Sequence, residues 1–219
     1  MKQLISSIIA LAALCGVSTG ALAQDVKAGE KKAAMCIGCH GIPSYQSSFP
    51  EVHKVPMISG QGAKYIVASL AAYQKGDRKH PTMRGIAASL TEQDMADLAA
   101  FYEQQPQATH NVTATPDKVA VPSAKVAELL TKGNCISCHG ENFSKPIDGS
   151  YPKIAGQHAD YLFVALKSYK TTNNPSIGRT NPVMAGMVQQ FSNSELKELS
   201  KYLGSLPSEL HTVAQPRFR

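Results

Sequence analysis

The pentapeptide C-I-G-C-H occupies residues 36–40, and a second version, C-I-S-C-H, occupies residues 135–139. Two cysteines separated by two residues and followed directly by a histidine form the attachment motif for c-type haem. The cysteines of such a motif add to the vinyl groups of the porphyrin, and the histidine reaches the iron. A redox-active dithiol or half of a zinc site would account for paired thiols. Neither explains a histidine after both pairs, so the sequence predicts two covalently bound haems c.

These two motifs define the first set of site residues. Each cysteine is assigned to covalent attachment, and each histidine supplies one axial nitrogen to an iron. The attachment residues are Cys36, Cys39, Cys135 and Cys138, and the iron ligands are His40 and His139.

The N-terminus has the pattern of a secretory signal peptide. Lys2 precedes an apolar run over residues 4–17, and small residues end at Ala23. This order of charged, apolar and small residues predicts cleavage after Ala23. Cleavage removes Cys15 and leaves the four cysteines of the two motifs. Because c-type haem is attached outside the cytoplasm, both features predict an exported protein in the periplasm.

Net charge bears on the choice of partner. Residues 24–115 carry nine Lys/Arg and eight Asp/Glu, whereas residues 116–219 carry twelve and eight. A basic excess in the second half suits docking to an acidic protein face or association with an anionic membrane surface. A surface that is merely soluble is the alternative. Lysine-rich stretches interleaved with aromatic residues are absent from the sequence, so no nucleic-acid partner is predicted.

The chain is an internal duplication. The segment P-M-I-S-G-Q at 56–61 corresponds to P-K-I-A-G-Q at 152–157, and R-K-H-P-T-M at 78–83 corresponds to R-T-N-P-V-M at 179–184. The spacing between copies changes only between matched segments, where loops absorb insertions.

Each copy is expected to be helical. Apolar spacing predicts helices over residues 27–37 and 63–75, and over 124–136 and 159–170, and capping boxes at 91–94 and 192–195 begin a third helix in each copy. No alternating strand pattern of useful length occurs. The prediction is an all-α fold with a signal peptide at 1–23, an N-terminal domain at 24–107, a linker at 108–122 and a C-terminal domain at 123–219.

The duplication also selects a second iron ligand. Met83 and Met184 correspond to each other, and each ends the pattern R-x-x-P-x-M, in which proline is expected to stiffen the loop that holds the thioether. They are therefore predicted to complete the coordination of haems 1 and 2. The remaining methionines of the mature chain have no methionine counterpart and are expected to be packing residues: Met35, Met57, Met95 and Met187.

Histidines leave one alternative open. His110 and His211 also correspond, so bis-histidine ligation is a second possibility for both irons. His53, His80 and His158 have no histidine counterpart and are expected at the surface.

Residues around the irons complete the predicted sites. A metal-bound imidazole usually donates its other N–H to a carbonyl, and Pro56 and Pro152 follow the two histidines at a distance that lets a loop return. Arg78 and Arg179 are candidates to bind haem propionates by paired hydrogen bonds, with solvated surface arginines as the alternative.

The ordered set of motifs resembles the dihaem cytochrome c4 family over essentially the whole mature chain. It comprises the signal peptide, two CxxCH motifs, P-x-I-x-G-Q before a tyrosine-bearing helix, a methionine before a capped helix, and D-M-A-D-L-A-A-F-Y at 94–102. The resemblance implies two tandem class I cytochrome c domains about a pseudo-twofold axis, with propionates facing across the interface. It also implies His/Met ligation and periplasmic electron transfer toward terminal oxidases. His53, Lys54 and Val55 make the first-domain loop longer than its counterpart.

The predicted function is a periplasmic dihaem electron carrier between a donor, such as a membrane quinol–cytochrome c oxidoreductase, and a terminal oxidase. Two axial ligands per iron leave no place for a substrate, so no catalytic residue is assigned. An electron-accepting subunit of a periplasmic oxidoreductase complex, of the flavoprotein or thiosulfate-oxidising type, is the main alternative. A dihaem peroxidase would need an open or displaceable ligand.

Overall fold

A computed structural model describes residues 23–105 and 120–214 of the chain. Helices dominate both ranges, and the only regular β structure within them is four strands of two residues. The helices of the first range are α1 (Val26–Lys32), α2 (Ala34–His40), α3 (Ala63–Lys75), α4 (Pro81–Ala88) and α5 (Glu92–Gln104). Those of the second are α6 (Ala124–Lys132), α7 (Ile136–His139), α8 (Ala159–Ser168), α9 (Pro182–Gln189) and α10 (Asn193–Gly204). The strands are β1 (Gln46–Ser47), β2 (His53–Lys54), β3 (Arg78–Lys79) and β4 (Gly178–Arg179).

Helix α5 is the centre of the first domain, because α1 and α3 both pack against it. The contact with α1 is close at Gly29, where a Cβ would collide with the backbone carbonyl of Asp97. Apolar side chains from α3 and α5 fill the space between them. The buried members of this core are Ala33, Ala63, Ile66, Leu90, Met95, Leu98, Ala99 and Tyr102.

Helix α10 has the same role in the second domain, where it packs against α8 and α6. Its apolar side chains Leu196, Leu199 and Leu203 share one face of the helix and enter two neighbouring clusters. The first cluster contains Leu129, Val188, Phe191, Leu196 and Leu199. The second contains Phe143, Ala155, Leu162, Leu203 and Leu206. The duplication seen in the sequence is thus a duplication of tertiary structure.

The first predicted helix of each copy is broken just before its haem motif. In the first domain the break is at Ala33, whose N–H donates to the carbonyls of both Gly29 and Glu30 as the helix tightens. In the second domain it is wider, because Asn134 has a φ of 44° in the left-handed region. Each CxxCH motif therefore lies on its own short helical segment.

The segments that hold Met83 and Met184 are short helices, which corrects the expectation of loops. Pro81 and Pro182 stand in the first turn of α4 and α9, where the missing N–H of proline costs no helical hydrogen bond. Proline thus begins these helices and does not merely stiffen a connection. Helix α8 ends at Ser168, two residues before the predicted end.

The domains meet along a polar interface. Strands β3 and β4 pair antiparallel with Arg78 opposite Arg179, so the two R-x-x-P-x-M segments run past each other. A β1–β2 hairpin in the longer first-domain loop reaches the other domain, where Lys54 pairs with Asp160 at 3.3 Å. None of the helices in the two described ranges has the length and apolarity needed to cross a membrane.

The hairpin explains why His53 is buried, although the sequence analysis expected it at the surface. His53 is only 5% exposed. Its Nδ1 lies 2.8 Å from the carbonyl of Glu51, and its ring centroid is 6.2 Å from that of Tyr161 in the other domain. His80 and His158 are half-buried. Of the four methionines expected to pack, Met95 lies in the core, whereas Met35 and Met187 are exposed.

Both predicted capping boxes are present at the starts of α5 and α10. The Thr91 hydroxyl accepts from the backbone N–H of Asp94 at 3.1 Å, and the Asp94 carboxylate accepts from the N–H of Thr91 at 2.9 Å. We expect Thr91→Ala to lower the free energy of unfolding by about 1 kcal/mol, because an N-cap acceptor is lost. Thermal denaturation of the intact protein measures this. Thr91→Ser keeps the hydroxyl and is the control; equal melting temperatures for the two variants would contradict the prediction.

Candidate haem sites and the interface between them

The two motif histidines have the same hydrogen bond. His40 ends α2, and its Nδ1 lies 2.8 Å from the carbonyl oxygen of Pro56. His139 ends α7, and its Nδ1 lies 3.0 Å from the carbonyl oxygen of Pro152. A carbonyl only accepts, so each Nδ1 carries the hydrogen and each Nε2 keeps its lone pair. This is the tautomer that a metal ligand requires.

Burial keeps these imidazoles neutral. Burial lowers the pKa of His40 and of His139, although the hydrogen bonds to the proline carbonyls act in the opposite direction. A proton and a metal ion compete for Nε2, so a lowered pKa favours metal binding at acidic pH.

The side chains of the four motif cysteines are partly buried. Cys36 and Cys39 are three residues apart on α2 and therefore lie on one face of it. Cys135 and Cys138 lie at the start of α7 and within it. Burial raises the pKa of Cys36 and Cys135. The hydroxyl of Tyr102 is buried close to Cys36, and burial is the main cause that raises the pKa of this hydroxyl.

Met83 and Met184 occupy the third position of α4 and α9. The backbone N–H of each methionine donates to the side chain of the N-cap residue. Met83 donates to Nδ1 of His80 at 3.4 Å, and Met184 donates to Oδ1 of Asn181 at 3.0 Å. Both methionine side chains are half-buried. That of Met184 packs against the cluster containing Leu129 and Phe191.

His211 lies on the interface between the domains, while His110 lies outside the described residues. The backbone of His211 forms a bridge with Ser59 of the first domain, with its N–H 3.1 Å from the Ser59 carbonyl. Its ring Nδ1 is 3.0 Å from the carbonyl of Glu209.

Arg78 and Arg179 form a pair of facing cations at the centre of the interface. Both guanidinium groups donate to the hydroxyl of Tyr161, each at 3.2 Å. Arg78 also donates to Tyr65 at 3.3 Å and to Ser69 at 2.5 Å. Arg78 is 9% exposed, which excludes a solvated surface arginine at that position.

Aromatic rings surround this arginine pair. The Arg78 guanidinium lies 4.8 Å from the ring centroid of Tyr73, and that of Arg179 lies 5.4 Å from the centroid of Tyr169. Burial alone would lower the pKa of both arginines. Electrostatic interaction with the surrounding tyrosines has the opposite effect, and the pKa of each arginine is raised. Burial would raise the pKa of Tyr161, whereas the two guanidinium groups lower it, to about 8.

The arginine pair provides a test of whether haem fits these domains. Within the described ranges, neither guanidinium forms an ion pair with a carboxylate, and the buried Nε of Arg78 has no hydrogen-bond partner. A buried guanidinium that faces a second, half-buried one is costly unless anions compensate the two charges. A haem carries two carboxylates, and guanidinium binds carboxylate with paired hydrogen bonds. The interface therefore has the charge and the free donor that haem propionates need.

Known proteins show the same organisation. The Cytochrome c family matches residues 26–105 and 123–207. Cytochrome c4 of Pseudomonas aeruginosa is 29% identical over 94% of this chain and 100% of its own, and cytochrome c4 of Thiocapsa roseopersicina is 31% identical over 83% and 93%. A thiosulfate dehydrogenase electron acceptor of Stutzerimonas stutzeri is 27% identical over 94% of this chain and 97% of its own.

The fold agrees with these relatives. The crystal structure of reduced recombinant cytochrome c4 from Pseudomonas stutzeri superposes with a TM-score of 0.62 and 26% identity, covering 84% of this chain and 100% of that one. The prediction of two tandem class I cytochrome c domains is confirmed. Two copies of one haem-binding fold, each with its histidine held by a proline carbonyl, place this chain in the cytochrome c family and, within it, in the cytochrome c4 family.

Proposed function

We propose that this chain is a dihaem electron carrier of the periplasm, which passes electrons from a respiratory donor to a terminal oxidase. A membrane quinol–cytochrome c oxidoreductase is the kind of donor we infer. The observation that carries the proposal is the repeated geometry of His40 and His139, each an oriented imidazole at the end of a CxxCH segment. The relation to cytochromes c4 over almost the whole chain supports it.

In this proposal each domain would hold one haem through two cysteine thioethers, with one histidine and one methionine as iron ligands. Haem supplies an iron that changes between the ferric and ferrous states as one electron enters and leaves. The protein orients the imidazole through the proline carbonyl, excludes water by burial, and provides the second ligand from a short helix. The assigned residues are Cys36, Cys39, His40 and Met83 for haem 1, and Cys135, Cys138, His139 and Met184 for haem 2.

Methionine ligation is favoured over bis-histidine ligation by the surroundings of the candidates. Met83 and Met184 occupy equivalent places at the starts of two equivalent helices, and Met184 packs in the core beside α10. His211 instead extends from its own domain to pair with Ser59 of the other. We assign Arg78 and Arg179 to the propionates of the two haems, on the strength of the unpaired charges described above.

The boundaries and the cellular location belong to the same proposal. We infer a signal peptide at 1–23, an N-terminal domain at 24–107, a linker at 108–122 and a C-terminal domain at 123–219. Covalent haem attachment takes place outside the cytoplasm, which supports export and cleavage after Ala23.

An electron-accepting subunit of an oxidoreductase complex is the second candidate. It is favoured by one finding, the similarity to a thiosulfate dehydrogenase electron acceptor over 97% of that protein. Purification of the native protein distinguishes the two. A free carrier is expected to elute alone and to reduce or oxidise several soluble partners, whereas a subunit would elute with a stoichiometric partner enzyme.

We expect the mature protein to carry two covalent haems. Both CxxCH motifs are intact, so each domain has two cysteines at the spacing that thioether attachment requires. Intact mass spectrometry after acid–acetone extraction measures the haem count, because thioether-bound haem stays with the protein. Cys36→Ala with Cys39→Ala is the control and should lose one haem only. A wild-type mass that corresponds to one haem or none would contradict the proposal.

We expect Met83→His and Met184→His each to lower the potential of one haem and to leave the other largely unchanged. Thioether sulfur favours the ferrous state relative to a second imidazole. Met83→Ala and Met184→Ala should instead open one iron to carbon monoxide. Potentiometric titration, with the far-red band of methionine-bound ferric haem followed in parallel, measures both effects. If the band is absent from the wild-type protein, the methionine assignment is wrong and His110 and His211 become the candidates. If the band persists in the double histidine variant, a different methionine binds iron, and the assignment of Met83 and Met184 is wrong.

A further inference from the structure

Two buried glutamines cross the interface and bind the backbone of the opposite domain. Oε1 of Gln157 accepts from the N–H of Met57 at 3.0 Å, and its Nε2 donates to the carbonyl of Met57 at 2.8 Å. Oε1 of Gln61 accepts from the N–H of Lys153 at 2.9 Å, and its Nε2 donates to the carbonyl of Lys153 at 3.0 Å. Each glutamine is 4% exposed. The two contacts are equivalent, and each satisfies both polar groups of one residue.

The local backbone fixes the glutamines in this position. Gly60 and Gly156 precede them with φ values of 81° and 65°, which favour glycine. The N–H of Gly60 donates to the carbonyl of Tyr102 at 2.8 Å. Oε1 of Gln61 also accepts from Gly62, and Oε1 of Gln157 from His158, both at 3.0 Å, at the starts of α3 and α8. Each amide is thus anchored in its own domain before it reaches the other.

The bound residues belong to the peptide groups that orient the iron-binding histidines. One planar peptide group contains both the carbonyl of Pro56 and the N–H of Met57. The carbonyl accepts a hydrogen bond from His40, and the N–H donates one to Gln157. The same holds for Pro152 and Lys153, which connect His139 to Gln61. A continuous hydrogen-bonded chain therefore runs from each imidazole, through one peptide group, to a side chain of the opposite domain.

We propose that Gln157 is a positioning residue for His40 and that Gln61 is a positioning residue for His139, so each domain sets the axial imidazole of the other. The proposal rests on the function proposed above, in which both histidines bind haem iron. Hydrogen bonds in such a chain polarise one another. Accepting from the N–H makes the proline carbonyl a stronger acceptor, and a stronger acceptor raises the basicity of the imidazole. A more basic imidazole favours the ferric state and lowers the potential.

The test uses the holoprotein and the variants Gln157→Leu and Gln61→Leu. The measurements are the potential of each haem and the paramagnetically shifted haem-methyl resonances, assigned to a domain by their contacts with neighbouring residues. In Gln157→Leu we expect the reduction potential of the first-domain haem to rise by at least about 18 mV. At a fixed applied potential, this rise lowers the oxidised-to-reduced ratio of that haem at least twofold, since a one-electron couple shifts by about 59 mV per tenfold change. The haem of the second domain should keep its potential and resonances. Gln61→Leu should give the reverse pattern.

Two further variants separate positioning from general damage to the interface. Glu51→Gln removes a cross-domain ion pair with Lys167 that touches neither peptide group, and it should leave both haems unchanged. Gln157→Asn and Gln61→Asn keep the amide on a side chain that is too short to contact the opposite domain. If the leucine variants do not fold, each asparagine variant should change the haem of the opposite domain and leave the haem of its own domain unchanged. Equal changes at both haems, changes at the haem of the mutated domain, or no change in a folded variant would overturn the proposal. None of these results would contradict the proposed function. That function would be overturned by a different result, a wild-type protein that carries fewer than two covalent haems.

Discussion

The hydrogen bond from each motif histidine to a proline carbonyl is the constraint on which the other features of this protein depend. It sets the tautomer of His40 and His139, and it fixes the segments that begin at Pro56 and Pro152. Those segments form the faces through which the domains meet. The peptide groups that orient the two motif histidines therefore also take part in the contact between the domains.

The interface between the domains is polar, and two arginines from equivalent positions of the two copies meet there. Arg78 and Arg179 face each other among tyrosine hydroxyls, with no carboxylate of the described protein paired to either. Packing two guanidinium groups together is unfavourable without anions between them. In a dihaem protein the propionates would supply those anions, so assembly of the interface and loading of the cofactor would support each other.

The sequence was most informative where a residue acts within its own domain. The repeat located both domains and both capping boxes, and the bounds of α3 were predicted to the residue. It did not predict the break at Asn134, because a left-handed residue leaves no periodic signal. Nor did it predict the burial of His53 or the roles of Gln61 and Gln157, although the G-Q pair was visible in both copies. Aligning one copy with the other shows which positions are equivalent, and it contains no information on which of them touch.

The β1–β2 hairpin breaks the symmetry that the duplication would otherwise give. It places Glu51 and Lys54 against the second domain, and it packs His53 beside Tyr161, with no counterpart in the second copy. Two identical repeats would offer an electron two positions of equal energy. Because the hairpin belongs to one copy only, the two domains have different surroundings at their interface, and the equivalence seen in the sequence ends there. An inserted loop is thus enough to make two copies of one fold structurally unequal.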